Sequence, residues 1–233
     1  EYRAHFMAQM MEMLARFDRL YAENKAQPPS DDLISPMVHS DPMGNMSPLE
    51  RLSNLALLIV GGNQTTRNSM SGLVEALDRY PEELDKLHGD PALIANAAQE
   101  IVRWQSPVTH MRRTAVRDAE LGGQRINMGE KVVMWYISAN RDESVFANAE
   151  RFDVARPNAR RHLGFGHGIH RCVGARLAEI QLTILLGEYD ARVACRSDQP
   201  GRMEAEEIPR AFREHSHWSR DPIRHRRAIS FRS

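Results

Sequence analysis

A cysteine in the last third of the chain has the surroundings of a reactive or metal-bound thiolate. The stretch HLGFGHGIHRCVG, residues 162–174, combines glycines and histidines with Cys172. A helical pattern begins near Val173, so the sulfur would lie at a helix N-terminus, where free N–H groups and the helix dipole favour a thiolate. The glycines at 164, 166 and 168 would let the backbone turn tightly and direct amide donors at the sulfur. Such a thiolate suits a heme iron as axial ligand.

Spacing alone leaves three other roles open for this cysteine. A lone cysteine is most often an inert buried side chain. A zinc site would need His162, His167 and His170 to converge on Cys172. A protease nucleophile would need a distant histidine and oxyanion donors elsewhere in the fold.

Two other stretches combine residue types that can do chemistry. Glu100 and Arg103 are one helical turn apart, so both side chains share a face. The stretch GGNQTT, residues 61–66, lies inside a long helical pattern. Paired glycines and threonines that bond back to the helix are features at which helices open or kink.

The elements that must position these residues are mostly helical. Apolar spacing predicts helices over 3–25, a short one through 33–38 with Ser30 or Asp31 as its cap, and then 47–80, 81–89, 91–104 and 173–188. The helix at 47–80 starts with a capping box, Ser47 to Glu50, and its apolar middle predicts that it crosses the core. Short strands joined by glycine turns are predicted between 108 and 135, followed by a short helix.

Composition excludes several function classes. The 233 residues have a net charge of +0 and 42% hydrophobic content, so nothing indicates a nucleic-acid partner. The sequence predicts no transmembrane segment, no signal peptide and no disulfide framework, and hence a cytoplasmic protein. The chain does not begin with Met, which indicates processing or a piece of a longer protein. Residues 189–233 are Arg-rich and lack Leu and Lys, which predicts an extension that is poorly packed or disordered, or a sequence unrelated to the rest of the chain.

The cysteine loop resembles the heme-binding signature of the cytochrome P450 family, Phe-x-x-Gly-x-(His/Arg)-x-Cys-x-Gly. Phe165, Gly168, His170, Cys172 and Gly174 meet it. The resemblance implies that Cys172 is the proximal iron ligand of heme b (iron protoporphyrin IX). It also implies that Phe165 packs beside the sulfur, that His170 hydrogen-bonds a propionate, and that Gly174 lets the flat ligand lie close.

Two more stretches resemble the same family. Glu100 and Arg103 match its Glu-x-x-Arg pair, which would secure the segment before the cysteine loop through a third residue, either Arg151 or Arg156. Arg113 matches the position that pairs with a heme propionate.

The helical stretch resembles the family's Gly-x-(Asp/Glu)-Thr segment on the oxygen-binding face. Gly62 belongs to this segment, and Thr65 is the hydroxyl that would hydrogen-bond dioxygen or a nearby water. Gln64 stands where the family has an acid. A glutamine can hold a water but cannot exchange protons as a carboxylate does.

Residues 1–188 resemble the C-terminal half of the P450 fold, which is mainly α with small β-sheets: long I helix, J, K and L helices and a β-meander. The sequence of these residues is similar to that of a soluble bacterial branch of the family, whose members hydroxylate terminal carbons of medium-chain alkanes and fatty acids. The resemblance implies a hydrophobic substrate, O2, a ferredoxin and a ferredoxin reductase. Leu58, Val60 and Met111 are candidates to line a pocket for the alkyl chain, and Arg171 and Arg176 to receive the ferredoxin.

Three alternatives remain open at the level of sequence. The chain is a catalytically inert, truncated remnant of such an enzyme. It hydroxylates another hydrophobic substrate, such as a steroid or terpene. Its Gln64 serves a heme enzyme driven by peroxide.

Overall fold

The computed structural model describes residues 2–197, and it is mainly helical with two small sheets. The α-helices are α1 Tyr2–Lys25, α2 Ile34–His39, α3 Asp41–Gly44, α4 Pro48–Arg79, α5 Pro81–Gly89, α6 Ile94–Gln105, α7 Tyr136–Ala139 and α8 Ala175–Ser197. Three 3₁₀ turns cover Pro91–Leu93, Ala159–Arg161 and Gly168–His170. The predicted fold class, mainly α with small β-sheets, is confirmed. The predicted extension begins inside α8, and its larger part lies outside the described residues.

The four strands form two separate antiparallel pairs. Strands β1 His110–Thr114 and β4 Lys131–Trp135 pair with Arg113 opposite Val132. Strands β2 Ala119–Leu121 and β3 Gln124–Ile126 form a hairpin. The hairpin turns at Gly122 and Gly123, whose φ angles of 57° and 77° a glycine adopts without strain.

Local capping sets where two helices begin. Ser47 Oγ accepts from Glu50 N while the Glu50 carboxylate accepts from Ser47 N at 2.8 Å, so the predicted capping box is confirmed. The predicted cap of α2 was wrong. Asp32, not Ser30 or Asp31, accepts from the first backbone N–H groups of that helix, at 2.7 Å.

The core surrounds α6. Every residue from 97 to 104 is buried, and the apolar ones pack with α4, α5, α8 and the segment around Phe152. Trp104 contacts the rings of Tyr80 and Phe152 edge-on, at centroid distances of 6.3 and 6.0 Å. Helix α6 therefore carries Glu100 and Arg103 through the centre of the molecule.

Helix α4 does not cross this core along its whole length, contrary to the sequence prediction. Its C-terminal third is buried around Leu73, and its N-terminal part buries Leu52 and Leu55. The middle is exposed at Leu57 and Val60, since no described element covers that face. Helix α1 likewise buries only Tyr21, so its apolar stripe is mostly exposed. None of the described helices is both long and apolar enough to cross a bilayer.

Candidate functional site

The cysteine loop is closed by backbone hydrogen bonds. Cys172 N donates to Phe165 O at 2.8 Å, and Gly166 N donates to Leu163 O at 2.8 Å. Gly166 and Gly168 have φ angles of 68° and 73°, which side-chain-bearing residues rarely adopt. These bonds bring four of the predicted site positions (Phe165, Gly168, His170 and Cys172) into one loop, and Gly174 lies directly before α8.

The sulfur of Cys172 is exposed and accepts no hydrogen bond from the described side chains and backbone of residues 2–191. The predicted convergence of loop amides on the sulfur is therefore wrong. The N–H groups of Gly166 and Cys172 are used by carbonyls inside the loop instead. A β-carbon at Gly174 would lie 4.0 Å from the sulfur, so the glycine leaves that side open.

Apolar side chains line the surface that starts beside the sulfur. Val173, Leu177, Ile180 and Ile184 recur at helical spacing and are all exposed. The zinc alternative fails, because the described side chains of residues 2–191 include no group of three or more His, Cys, Asp or Glu placed to hold a metal. The surroundings thus favour a single sulfur donor facing an apolar group.

A buried ionic cluster holds the segment before the loop. Glu100 and Arg103 are fully buried, and Arg103 Nε lies 2.7 Å from Glu100 Oε2. Arg156 Nε donates to both oxygens of Glu100, at 3.0 and 3.1 Å. The third partner that the sequence left open is therefore Arg156 and not Arg151. Asp153 N also donates to Glu100, so one carboxylate fixes both the helix and the segment that leads to the loop.

Arg151 belongs to a second cluster, which sequence reasoning missed. Its guanidinium contacts Glu82 and Glu83 of α5. Glu83 is fully buried and also accepts from Val154 N at 3.0 Å and from Lys86 Nζ at 2.9 Å. The hydrogen bond to Glu83 raises the pKa of Lys86. This cluster ties α5 to the segment that α6 holds from the other side.

Two buried polar side chains, Asn140 and His162, tie the start of the loop to the core. Asn140 Oδ1 accepts from Leu163 N at 2.7 Å, and its amide nitrogen donates to Ser106 Oγ at 2.9 Å. His162 lies between Gln99 and Gly164. Burial lowers the pKa of His162 to about 4. The bonds of Asn140 to Leu163 and of His162 to Gln99 join residues 23 and 63 positions apart, so the sequence offered no signal for either of them.

The helical segment with the other predicted site residues is on α4. Thr65 Oγ1 donates to Gly61 O at 2.6 Å, and the helix continues through both glycines. Gly62 and Gln64 are exposed. No described hydrogen bond or ion pair joins this segment to the cysteine loop, although α4 and α8 pack against each other.

An open groove of about 430 Å³ runs between α4 and α8, lined by Leu58, Ile59, Gly62, Asn63, Thr66, Arg67, Met70 and Gln181. Thr65 and Gln64 are not among these residues. Two helical steps turn through about 200°, so Gln64 points almost opposite to Thr66. Of the side chains expected to line a pocket for an alkyl chain, Leu58 lies in the groove, whereas Val60 and Met111 are exposed outside it.

The two predicted propionate partners are both exposed, and no described bond joins them. Arg113 lies on β1, where its guanidinium donates to Arg112 O at 3.0 Å. His170 ends the 3₁₀ turn of the cysteine loop.

A basic hollow of about 250 Å³ opens beside the loop. Arg160, Arg161, Arg171 and His167 contribute to its lining. None of these four side chains forms an ion pair within the described part of the chain. Arg176, the other candidate for a docking surface, lies 3.5 Å from Glu179 on α8.

Comparison with known proteins identifies relatives over most of the chain. Residues 3–189 match the family model described as Cytochrome P450. Linalool 8-monooxygenase of Pseudomonas putida is 44% identical over 188 residues, which cover 80% of this chain and 46% of that protein. A methyl-branched lipid omega-hydroxylase of Mycobacterium bovis is 43% identical over 187 residues, covering 78% of this chain and 44% of that protein.

The structural comparison agrees. The solved structure of cytochrome P450-153 from Novosphingobium aromaticivorans matches with a TM-score of 0.75 and 57% identity, over 80% of this chain and 46% of that one. The chain thus spans a little under half the length of these relatives.

Proposed function

The chain belongs to the cytochrome P450 family, and from that premise we propose that the complete protein is a heme-thiolate monooxygenase. The observation that carries the proposal is the closed loop that presents Cys172 with an exposed sulfur. The proposed reaction places one oxygen atom of O2 into a C–H bond. The other oxygen leaves as water, with two electrons from a ferredoxin and two protons from solvent.

The residues present fit heme b, the cofactor of this family. The donor set is one thiol, which suits a heme iron. Gly174 leaves space next to the sulfur, where a β-carbon would lie 4.0 Å away. The exposed stripe from Val173 to Ile184 offers the apolar surface that a flat macrocycle needs. Cys172 would hold the iron, and Arg113 and His170 would hold the propionates by charge-assisted bonds.

When bound, heme b supplies the activation of dioxygen. The chain's own residues supply orientation, and the protons come from solvent. Thr65 has already donated its single hydroxyl proton to Gly61 O, so in this rotamer it accepts hydrogen bonds from a water or substrate. Gln64 orients a water through its amide but does not release a proton. Proton delivery therefore depends on water held by Thr65 and Gln64.

The proposed substrate is an alkyl chain, hydroxylated at its terminal carbon. Leu57 and Val60 precede Gln64 by seven and four residues, so the three share one face of α4. Both apolar side chains are exposed there, 69% and 66%. A methyl-branched lipid omega-hydroxylase and a linalool 8-monooxygenase are among the relatives, which supports a chain-like hydrophobic substrate.

The proposed electron donor is an acidic ferredoxin served by its reductase. The basic hollow at Arg160, Arg161 and Arg171 borders the cysteine loop. Cations that form no ion pair within the described part of the chain attract an acidic protein and speed its encounter. Of the two arginines favoured by the sequence, Arg171 lines this hollow, while Arg176 has an acidic neighbour on α8.

The test is a Cys172→Ser substitution in the complete protein, with Cys195→Ser, at the second of the chain's 2 cysteines, as the matched control. Each protein is assayed for its reduced, CO-bound absorption spectrum and for products from octane, a fatty acid and linalool. We expect the control to keep the thiolate-type spectrum and terminal hydroxylation, and Cys172→Ser to lose both. Hydroxylation that continues undiminished in Cys172→Ser would refute the proposal, and a preference for linalool would move the substrate class to terpenes.

Gln64 favours a second candidate, in which hydrogen peroxide replaces O2 and ferredoxin. A peroxide needs no further electrons or protons to supply its oxygen atom to the substrate. Turnover with peroxide alone, at least equal to turnover with ferredoxin, supports this candidate. A Gln64→Asp variant that gains activity only with ferredoxin and O2 supports the first.

A further inference from the structure

His162 is a buried histidine, 7% exposed, with both ring nitrogens bonded. Its Nε2 lies 3.2 Å from Gln99 Oε1 on α6. An amide oxygen only accepts, so Nε2 carries the proton and donates. Nδ1 is then the acceptor, and it takes the N–H of Gly164 at 3.0 Å. The geometry thus selects one tautomer of the neutral imidazole.

The same bonds position the start of the cysteine loop. Leu163 N and Gly164 N, two consecutive amides, are held by Asn140 Oδ1 and His162 Nδ1. The His162 ring also packs against the Phe165 ring, at a centroid distance of 5.2 Å. Phe165 O in turn accepts from Cys172 N at 2.8 Å. The imidazole is therefore two contacts away from the backbone of Cys172.

We propose that His162 is a positioning residue for the cysteine loop, which it holds in place by accepting the Gly164 N–H and packing against Phe165. The importance of this loop for catalysis rests on the proposed function. The anchor itself rests only on the bonds just described.

Protonation removes the anchor. An imidazolium donates from both nitrogens, so Nδ1–H would face Gly164 N–H and the bond would be lost. Burial is the largest cause that lowers the pKa of His162, which is about 4. The negative charge of Glu179 opposes this shift, and the positive charges of three arginines add to it: Arg103, Arg171 and Arg160. The anchor is thus intact at neutral pH and released in acid.

Three substitutions separate the parts of this anchor. His162→Asn keeps an acceptor at the position of Nδ1, because Asn Oδ1 bonds an amide two residues on. His162→Gln extends past that position towards Gln99 and loses the acceptor. His162→Phe keeps the ring contact but neither hydrogen bond. His167→Asn is the matched control, since His167 is an exposed histidine of the same loop without a hydrogen bond inside the described residues.

The measurement is amide hydrogen exchange at Gly164 and Cys172 in the complete protein, corrected for intrinsic rates, at pH 7 and pH 4. At pH 7 we expect exchange about tenfold faster in His162→Gln and His162→Phe than in wild type, as the loss of one hydrogen bond predicts. His167→Asn should match wild type, and His162→Asn, which keeps the acceptor but loses the ring contact with Phe165, should exchange only slightly faster than wild type. At pH 4 the wild type and His167→Asn should approach the Gln variant, whereas His162→Asn should keep its protection.

Two results overturn the inference. The first is a His162→Asn protein whose loop amides exchange as fast as those of His162→Gln. The same conclusion follows if both the Asn and the Gln variant fail to fold. The other is a wild type without the acid step. If His162→Phe does not fold, the Asn and Gln pair still decides. The readout is at backbone amides, so its failure is distinct from a failure of the Cys172→Ser test.

Discussion

Replacing Arg156 by Lys tests whether the buried cluster on α6 holds the segment that leads to the cysteine loop. The guanidinium donates to both oxygens of Glu100, and it also donates to Ala147 O at 2.6 Å, Asn148 O at 3.2 Å and Arg151 O at 2.9 Å. A lysine keeps the charge near Glu100 but cannot reach the three carbonyls at once. Each hydrogen bond lost in a buried site costs about 1 kcal/mol, so we expect a loss of about 3 kcal/mol in the free energy of unfolding.

Two matched arginine-to-lysine substitutions complete the experiment. Arg125 pairs with Asp118 at 3.0 Å on the surface, where both side chains are exposed, so Arg125→Lys should change the free energy of unfolding by less than about 0.5 kcal/mol. Arg151 is about half-exposed in its contacts with Glu82 and Glu83. Arg151→Lys should therefore cost clearly less than Arg156→Lys.

The assay is urea denaturation of the complete protein, followed by circular dichroism, with the three variants measured beside the wild type. The order of the three stability losses shows whether Arg156 is the residue that pairs with Glu100 and Arg103. If Arg156→Lys unfolds at the same urea concentration as Arg125→Lys, or if Arg151→Lys is the most damaging, the assignment of Arg156 as the third partner of Glu100 and Arg103 is wrong.

Three further predictions concern stability. Gly164→Ala should destabilise the protein by about 1–3 kcal/mol, because the new β-carbon would lie 2.7 Å from Val102 Cγ1. Gly187→Ala, inside α8 with nothing within 4 Å of its β-carbon, should stabilise the protein by about 1 kcal/mol. Equal melting temperatures for the two variants would contradict this packing. Ser47→Ala should lower the free energy of unfolding by about 1 kcal/mol, because it removes the N-cap of α4. Ser47→Asp, which keeps a capping oxygen, should melt at a temperature close to that of wild type. The pKa of His162 is about 4 in the folded protein, against an ordinary value of 6.5. The unfolded chain therefore binds the proton first, and stability should fall by about 3 kcal/mol as pH drops from 6.5 to 4. A His162→Asn protein with the same slope of stability against pH would disprove the linkage.

The amino-acid sequence was sufficient for features that depend on neighbours along the chain. The capping box at Ser47, the helix at 91–104 and the strands between 108 and 135 follow from spacing over a few residues. The signature around Cys172 is local as well, since the loop closes over seven residues from Phe165. Such patterns are readable because helical and strand periods repeat within a short window.

Tertiary structure decided everything that depends on distant contacts. Arg151 and Arg156 are equivalent by type and spacing, and only the fold brings one of them to Glu100 across 56 residues. The bonds of Asn140 to Leu163 and of His162 to Gln99 have the same origin. The exposed middle of α4 shows a limit of prediction from sequence. Apolar periodicity predicts a face that can be buried, but only the packed molecule decides whether another element covers that face.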